Sequence, residues 1–350
     1  MEPISLNYYG LVALGSFLLT FVLVLLAIKY FPRFGLMDRP RKYGLKRDPI
    51  PYYGGLVAFF VFFLATVIFV DFSIQLFGLL AATFLIFLVG FLDDLFDISP
   101  MLRLFVQIIA ASLLVVSGIG ILSIPNPFGG SIDFSFLILY GIPVLGAIFT
   151  IVWVVLITNT MNFLDGISGL SSGVTFISAL SIFVLSIRPG IHADIISQQP
   201  VALMALIFAF VALAFVVFDF PPAKILMGNT GSTFFGFLLA ALAIYSGGKV
   251  ATAALVLGVP ILDTGWVIFR RIFEGKKPWH GDTKHLHHRL LYLGLSEKTV
   301  LFIYYGLSVL FGALAVLCVS SVQKLFIFIG LFVAMMILIS GVLIVSRKKK

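Results

Sequence analysis

The chain has 350 residues, 61% of them hydrophobic and only 11% charged, with a formal net charge of +8. Such a composition excludes a soluble globular domain. The basic excess forms no separate domain with interleaved aromatics, so nucleic acid is not implied as a partner.

Apolar runs of roughly 20 residues, enough to cross a bilayer, recur at about 8–31, 51–70, 72–92, 101–123, 135–157, 167–187, 200–218, 232–246, 250–269, 299–320 and 324–346. They predict an all-α, polytopic integral membrane protein of about eleven transmembrane helices, one membrane-embedded domain over 1–350. The start lacks a basic n-region and its first apolar run is too long for a signal h-region, so it reads as the first span. Gly141 and Pro143 predict a kink in the fifth span. Cys318 lies in the tenth and carries no disulfide framework.

Orientation follows from Lys and Arg. With the N-terminus outside and strict alternation, 20 of the 23 basic residues fall on the inner face, leaving Arg188, Lys249 and Lys324 outside. The positive-inside rule then places the C-terminus inside and cytoplasmic loops at about 32–50, 91–100, 158–166, 219–231 and 270–298. The unusual polar residues land on that same face.

In chain order, the first inner loop carries Arg39, Arg41, Lys42, Lys46 and Arg47 before Pro51-Tyr52-Tyr53-Gly54-Gly55. Most of these charges serve topology and headgroups, and Arg47 is the one assigned to substrate. Next comes Asp93-Asp94-Leu95-Phe96-Asp97. Three of the chain's 15 acidic residues lie within five positions at the end of an apolar run. Adjacent carboxylates there suit a divalent cation or phosphate handling, or else an exposed acidic helix cap.

Between spans five and six, Asn159, Asn162 and Asp165 are spaced by three and share a helical face. Amide oxygens and a carboxylate suit Mg²⁺ or sugar and phosphate hydroxyls, and a capping turn is the plainer alternative. The segment from Asp219 to Ser232 ends in Gly228-Asn229-Thr230-Gly231-Ser232, an anion-binding or ordinary turn at a helix N-terminus. Asp263 is an intramembrane carboxylate, with Arg270 or Arg271 as a simple partner. His280, His285, His287 and His288 interleave with Lys284 and Arg289, which suits a diphosphate better than zinc.

Together these segments resemble the polyprenyl-phosphate N-acetylhexosamine-1-phosphate transferase family, over most of the chain. The His285-Leu286-His287-His288 pattern looks like the bacterial branch acting on UDP-N-acetylglucosamine. The resemblance implies transfer of N-acetylglucosamine-1-phosphate to undecaprenyl phosphate with release of UMP, giving the first lipid-linked intermediate of a cell-envelope polysaccharide. It implies a bacterial inner-membrane enzyme with its active site on the cytoplasmic face, Mg²⁺ or alternatively Mn²⁺ as cofactor, and a homodimer as one assembly.

By the same resemblance, Asp93 and Asp94 sit beside the metal and the lipid phosphate, Asp165 lies in the nucleotide site, Asn162 and Asn229 hold the metal, and His287 and His288 contact the donor. Asp93, Asp94 and Asp165 are therefore the catalytic candidates. Arg47, Asp97, Asn159, Asp219, His285 and Arg289 join His287 and His288 as substrate-binding candidates, and Asp219 joins the metal candidates on its residue type and position. The family normally has Asp where this chain has Asn229, and Asn where it has Asp219. One reading is an exchange in which Asp219 takes over the metal role; another is a disabled site. Ser168 also replaces a common Asp. Rival readings are another UDP-N-acetylhexosamine or UDP-muramoyl-pentapeptide as donor, a non-catalytic protein of the same fold, and a secondary transporter.

Overall fold

The computed structural model describes residues 4–40, 47–189, 196–247, 250–275, 285–318 and 320–348. His280, Lys284, Arg41, Lys42 and Lys46 lie outside them. The helices run α1 Leu6–Tyr30, α2 Gly54–Phe69, α3 Ile74–Phe96, α4 Pro100–Val116, α5 Val144–Leu164, α6 Leu170–Ile187, α7 Gln199–Asp219, α8 Gly228–Tyr245, α9 Val250–Val256, α10 Gly258–Phe273, α11 Leu286–Tyr292, α12 Glu297–Leu317 and α13 Ser321–Lys348. The protein is an all-α, multi-pass membrane protein.

Local chemistry sets several boundaries. Ser5, Ser73, Ser99 and Ser296 each accept a hydrogen bond from the backbone N–H three residues on, opening α1, α3, α4 and α12. Pro100 occupies the first turn of α4, where its missing N–H has no intrahelical partner to lose.

α7 and α8 form the centre of the bundle and are buried on nearly every side. Phe62 of α2, Phe208 of α7 and Phe234 and Phe235 of α8 are fully buried there and meet edge-on or tilted. α1, α2, α3, α5 and α6 pack around this pair.

Seven helices are long and apolar enough to cross a membrane, and α9 with α10 makes an eighth if the pair is one span. That is fewer than the eleven read from the sequence. The pair is bent by 81°, and Pro260 supplies the reason: it has no N–H to bond the Val256 carbonyl. α2 and α4 are shorter, and α8 opens on the polar turn at Gly228.

The predicted kink in span five is absent. Gly141 and Pro143 lie before α5, and Pro143 is its N-cap. Two small antiparallel hairpins fill the gap: β1 Ser123–Pro125 with β2 Ser131–Asp133, and β3 Ile138–Leu139 with β4 Ile142–Pro143. They sit at the end of the bundle away from the Asp93 cluster.

One glycine contact is decisive for the site. A Cβ on Gly55 would lie 2.2 Å from the Gly231 nitrogen and 2.4 Å from its Cα. Backbone there cannot swing aside, so Gly55→Ala must push α2 off α8. Overpacking of this kind costs about 1–3 kcal/mol. Thermal melts in detergent should show Gly55→Ala clearly destabilised and Gly10→Ala not, because nothing lies within 4 Å of a Cβ on Gly10. Equal melting of the two variants would refute this packing.

Candidate active site

The C-terminal end of α3 builds the first wall. Asp97 terminates the helix in a left-handed conformation, with φ of 51°. The chain then turns directly into α4, and one turn in, Arg103 reaches back to Asp93. Its Nη1 donates to Asp93 Oδ2 at 2.6 Å. Asp93 is buried and Arg103 partly so, which makes this a charge-assisted pair shielded from solvent.

Asp94 does something different. Its Oδ1 accepts from the Asn229 backbone N–H (2.9 Å) and the Tyr52 hydroxyl (3.2 Å); its Oδ2 accepts from the Thr230 N–H (2.9 Å) and Thr230 hydroxyl (2.5 Å). The carboxylate therefore caps the N-terminus of α8, where unpaired N–H groups and the helix dipole favour an anion. Tyr53 adds a bond from its hydroxyl to the Asp94 carbonyl.

Asn229, at the start of α8, links three helices. Its Nδ2 donates to Asp93 Oδ2 at 2.9 Å, and its Oδ1 accepts from Asn162 Nδ2 of α5 at 2.9 Å. Asn162 also donates to Ser232 Oγ at 2.9 Å. The 226–227 segment carrying this turn is clasped by the end of the first inner loop and the start of α2: Leu226 N–H bonds the Pro51 carbonyl, and Gly54 and Gly55 N–H bond the Leu226 and Met227 carbonyls.

Asp165 follows α5 and receives no hydrogen bond from any described residue. Burial, and then the nearby charges of Asp219 and Asp94, push its carboxyl well above the usual carboxylate range. Its neighbour Gly166 lies against the histidine segment; a Cβ there would sit 2.6 Å from His287 Nε2. His287 is fully buried and neither ring nitrogen has a partner among the described residues. Burial, then His288 and His285, hold it well below the usual imidazole range, so it stays neutral. Asp263 of α10 positions this segment, meeting His285 Nδ1 at 3.1 Å and accepting the Leu286 N–H at 2.8 Å.

The raised Asp165 carboxyl has a testable consequence. Ionising it costs stability that is absent below its unfolded value of 3.8 and is incurred as pH rises through the higher folded value. Asp165→Asn should therefore melt above the parent at neutral pH, with the difference closing toward about pH 4. A pH-independent difference would contradict the raised carboxyl.

Several candidates lie elsewhere than the sequence suggested. Asp219 is buried at the end of α7, and its Oδ2 accepts from the Gly169 N–H and the Ser172 hydroxyl, both at 2.8 Å. It caps α6 and shares no hydrogen bond with Asn229 or Asn162 among the described residues, so no bond in the structure ties it to them. Asn159 Nδ2 bonds Gln107 Oε1 at 2.7 Å and braces α5 to α4. Arg47 pairs with Asp38, Nη2 to Oδ2 at 2.5 Å, fixing the clasp. Asp97 lines the cleft together with Asp93, Asp94 and Asn229. His288 packs on His287, with ring centroids 4.2 Å apart, and Arg289 lies in α11 beside it.

Sequence reasoning missed Arg103, Tyr52 and Thr230 as parts of the site. For Arg103 the usable signal is its place one turn into the helix that follows the Asp cluster.

Asp93, Asn229 and Asn162 present oxygen-bearing side chains from three helices in one hydrogen-bonded chain. That donor set fits a small hard cation that takes few protein ligands and completes its shell with water and phosphate. Among the described residues no three His, Cys, Asp or Glu gather as a metal group, so carboxylates alone do not form such a site.

Residues 76–247 match the family model described as Glycosyl transferase family 4. The chain is 28% identical over 338 residues to a Bacillus subtilis (strain 168) protein named "Probable undecaprenyl-phosphate N-acetylglucosaminyl 1-phosphate transferase", covering 91% of this chain and 87% of that one. It is 31% identical over 315 residues to the decaprenyl-phosphate N-acetylglucosaminephosphotransferase of Mycolicibacterium smegmatis (strain ATCC 700084 / mc(2)155), covering 80% and 75%. It is 26% identical over 297 residues to the undecaprenyl-phosphate alpha-N-acetylglucosaminyl 1-phosphate transferase of Yersinia pestis, covering 81% and 76%. With the polar groups of α3, α5 and α8 meeting at one end of the bundle, and with likeness running over most of its length, this chain belongs to glycosyl transferase family 4.

Proposed function

We propose that the protein transfers N-acetylglucosamine-1-phosphate from UDP-N-acetylglucosamine to undecaprenyl phosphate, with release of UMP. The observation that carries this reading is the hydrogen-bonded chain Asp93–Asn229–Asn162, with Asp165 and His287 beside it, whose side chains find no hydrogen-bond partner among the described residues. The names of the relatives support the substrates. We further assign the site to the cytoplasmic face of a bacterial inner membrane, because the basic loops gather at that end.

In this reaction an oxygen of the acceptor phosphate attacks the β-phosphorus of the donor. The bond from that phosphorus to the bridging oxygen breaks, and UMP departs with the electron pair. Two anions must meet, so stabilisation is mainly electrostatic. Asn162, Asn229 and Asp93 would hold Mg²⁺ or Mn²⁺, which when bound supplies positive charge to the phosphoryl oxygens. Asp93, fixed by Arg103, orients the acceptor. A phosphate monoester has its second pKa near about 6, so little proton removal is needed. Asp165 faces the donor's nucleotide, and neutral His287, with His288, offers donors to its phosphate or sugar.

Purified protein in detergent with Mg²⁺, undecaprenyl phosphate and UDP-N-acetylglucosamine should release UMP. Release only from another UDP-N-acetylhexosamine or the muramoyl-pentapeptide donor would overturn the donor assignment. No release from any of them would overturn the transferase reading.

A further inference from the structure

We propose that Arg39 is the residue that binds the phosphate of the lipid acceptor; this rests on the transferase reading above. Among the described residues lining the cleft at Asp93, Asp94, Asp97 and Asn229, Arg39 is the one cation. Asp94 is held by four donors, and Asp93 by Arg103 and Asn229. Neither has a geometric need for Arg39. No described residue forms a hydrogen bond or ion pair with its guanidinium, and Arg39 is an exposed residue that lines the cleft. A guanidinium with no partner among the described residues, lining one cleft with carboxylates that are already bound, is placed for an incoming anion.

The backbone presents Arg39 firmly. Asp38 N–H bonds the Ile50 carbonyl at 3.0 Å, and Asp38 Oδ1 accepts the Ile50 N–H at 2.7 Å. Met37 bridges Pro51, and Arg47 braces the same Asp38. The far side of this clasp continues into Tyr52 and Tyr53, whose hydroxyls bond Asp94. Position 39 is thus fixed relative to Asp93 and Asn229. The guanidinium also acts on the Tyr53 phenol: burial and then Asp94 raise that group, and Arg39 opposes them.

The anion it serves is the acceptor's. Phe34 and Phe96 flank the lining residues in sequence and are exposed, at 75% and 71%. An isoprenoid chain finds apolar surface there. Asp165 and the buried His287 are not among the residues lining this cleft, and on the reading above they serve the donor. A guanidinium fork binds phosphate oxygens in bidentate fashion, which a lysine ammonium does not.

The test is a KM split with a direct binding arm, on the full chain in detergent. Arg39→Gln should raise KM for undecaprenyl phosphate by roughly ten- to a hundredfold, as expected for a lost charge-assisted contact. KM for UDP-N-acetylglucosamine should stay unchanged, and Arg39→Lys should recover part of the loss. In parallel, parent protein should retain radiolabelled undecaprenyl phosphate over undecaprenol, and Arg39→Gln should lose that preference while melting like the parent. An unchanged acceptor KM, or a rise in the donor KM alone, overturns the proposal. Parent that prefers the phosphorylated lipid through Arg39 but releases no UMP sinks the transferase reading and leaves the Arg39 assignment standing. Parent that releases UMP while Arg39→Gln still binds the phosphorylated lipid sinks Arg39 alone.

Discussion

Asp219→Asn will retain its fold and its UMP release, Asp219→Leu will lose both, and adding Asn229→Asp to either will restore nothing. Both bonds to Asp219 arrive at one oxygen, Oδ2, from the Gly169 N–H and the Ser172 hydroxyl. An amide oxygen can accept the same two bonds. What Asn gives up is a charge at the start of α6, which is worth about 0.3–1 kcal/mol and up to ~2 when partly buried. Leu leaves two buried donors unpaired, at about 1–3 kcal/mol each. That is a large share of a typical stability, so the expected loss is of folded protein and not of a catalytic step. Melting curves alongside UMP release separate the two. An inactive but fully folded Asp219→Asn, rescued by Asn229→Asp, would return Asp219 to the metal site.

Asn229→Asp alone should make the protein dependent on divalent cation for its stability. The Asn229 amide nitrogen donates to Asp93 Oδ2 at 2.9 Å. A carboxylate there meets a carboxylate, and like charges about 4 Å apart repel by about 4 kcal/mol at an effective dielectric of 20. Without cation, one of the pair must take a proton or move away, and the link to Asn162 loosens with it. If position 229 holds Mg²⁺ as proposed, the added charge makes a better ligand than the amide it replaced. The measurement is the melting temperature in EDTA and in Mg²⁺. The variant should fall below the parent in EDTA and show the larger gain on adding Mg²⁺. Equal gains in the two proteins would remove Asn229 from the metal shell.

The architecture was readable because its signal is redundant. Each apolar run is far longer than a chance cluster, and each run of the sequence reading finds a helix or, for the ninth, a broken pair. The errors lie where polar residues enter. Gly141 and Pro143 were read as a kink inside a span, but Pro143 starts the helix, which is where a residue without an N–H costs least. Asp93, Asn162 and Asn229 were legible as a group because a family pattern names them, and the structure joins them in one chain of bonds. Asp219 and Asn159 carry the same side-chain types at suggestive spacings, yet they brace helices. Composition and spacing report which groups are available, while the partner of a carboxylate depends on which helix start the fold brings to it. Arg39 and Arg47 make the point within one loop: eight positions apart and both basic, one braces Asp38 and the other opens onto the cleft.

Asp94, Asp219 and Asp263 each accept backbone N–H at the start of another helix: Asn229 and Thr230 of α8, the N-cap Gly169 of α6, and Leu286 of α11. An alanine scan or carbodiimide labelling would therefore score all three as indispensable, in a chain with only 15 acidic residues. Such a survey would not tell a helix cap from a group that touches substrate. Only side chains whose neutral amide fails where the helix still forms, Asp93 and Asp165 first among them, report on chemistry.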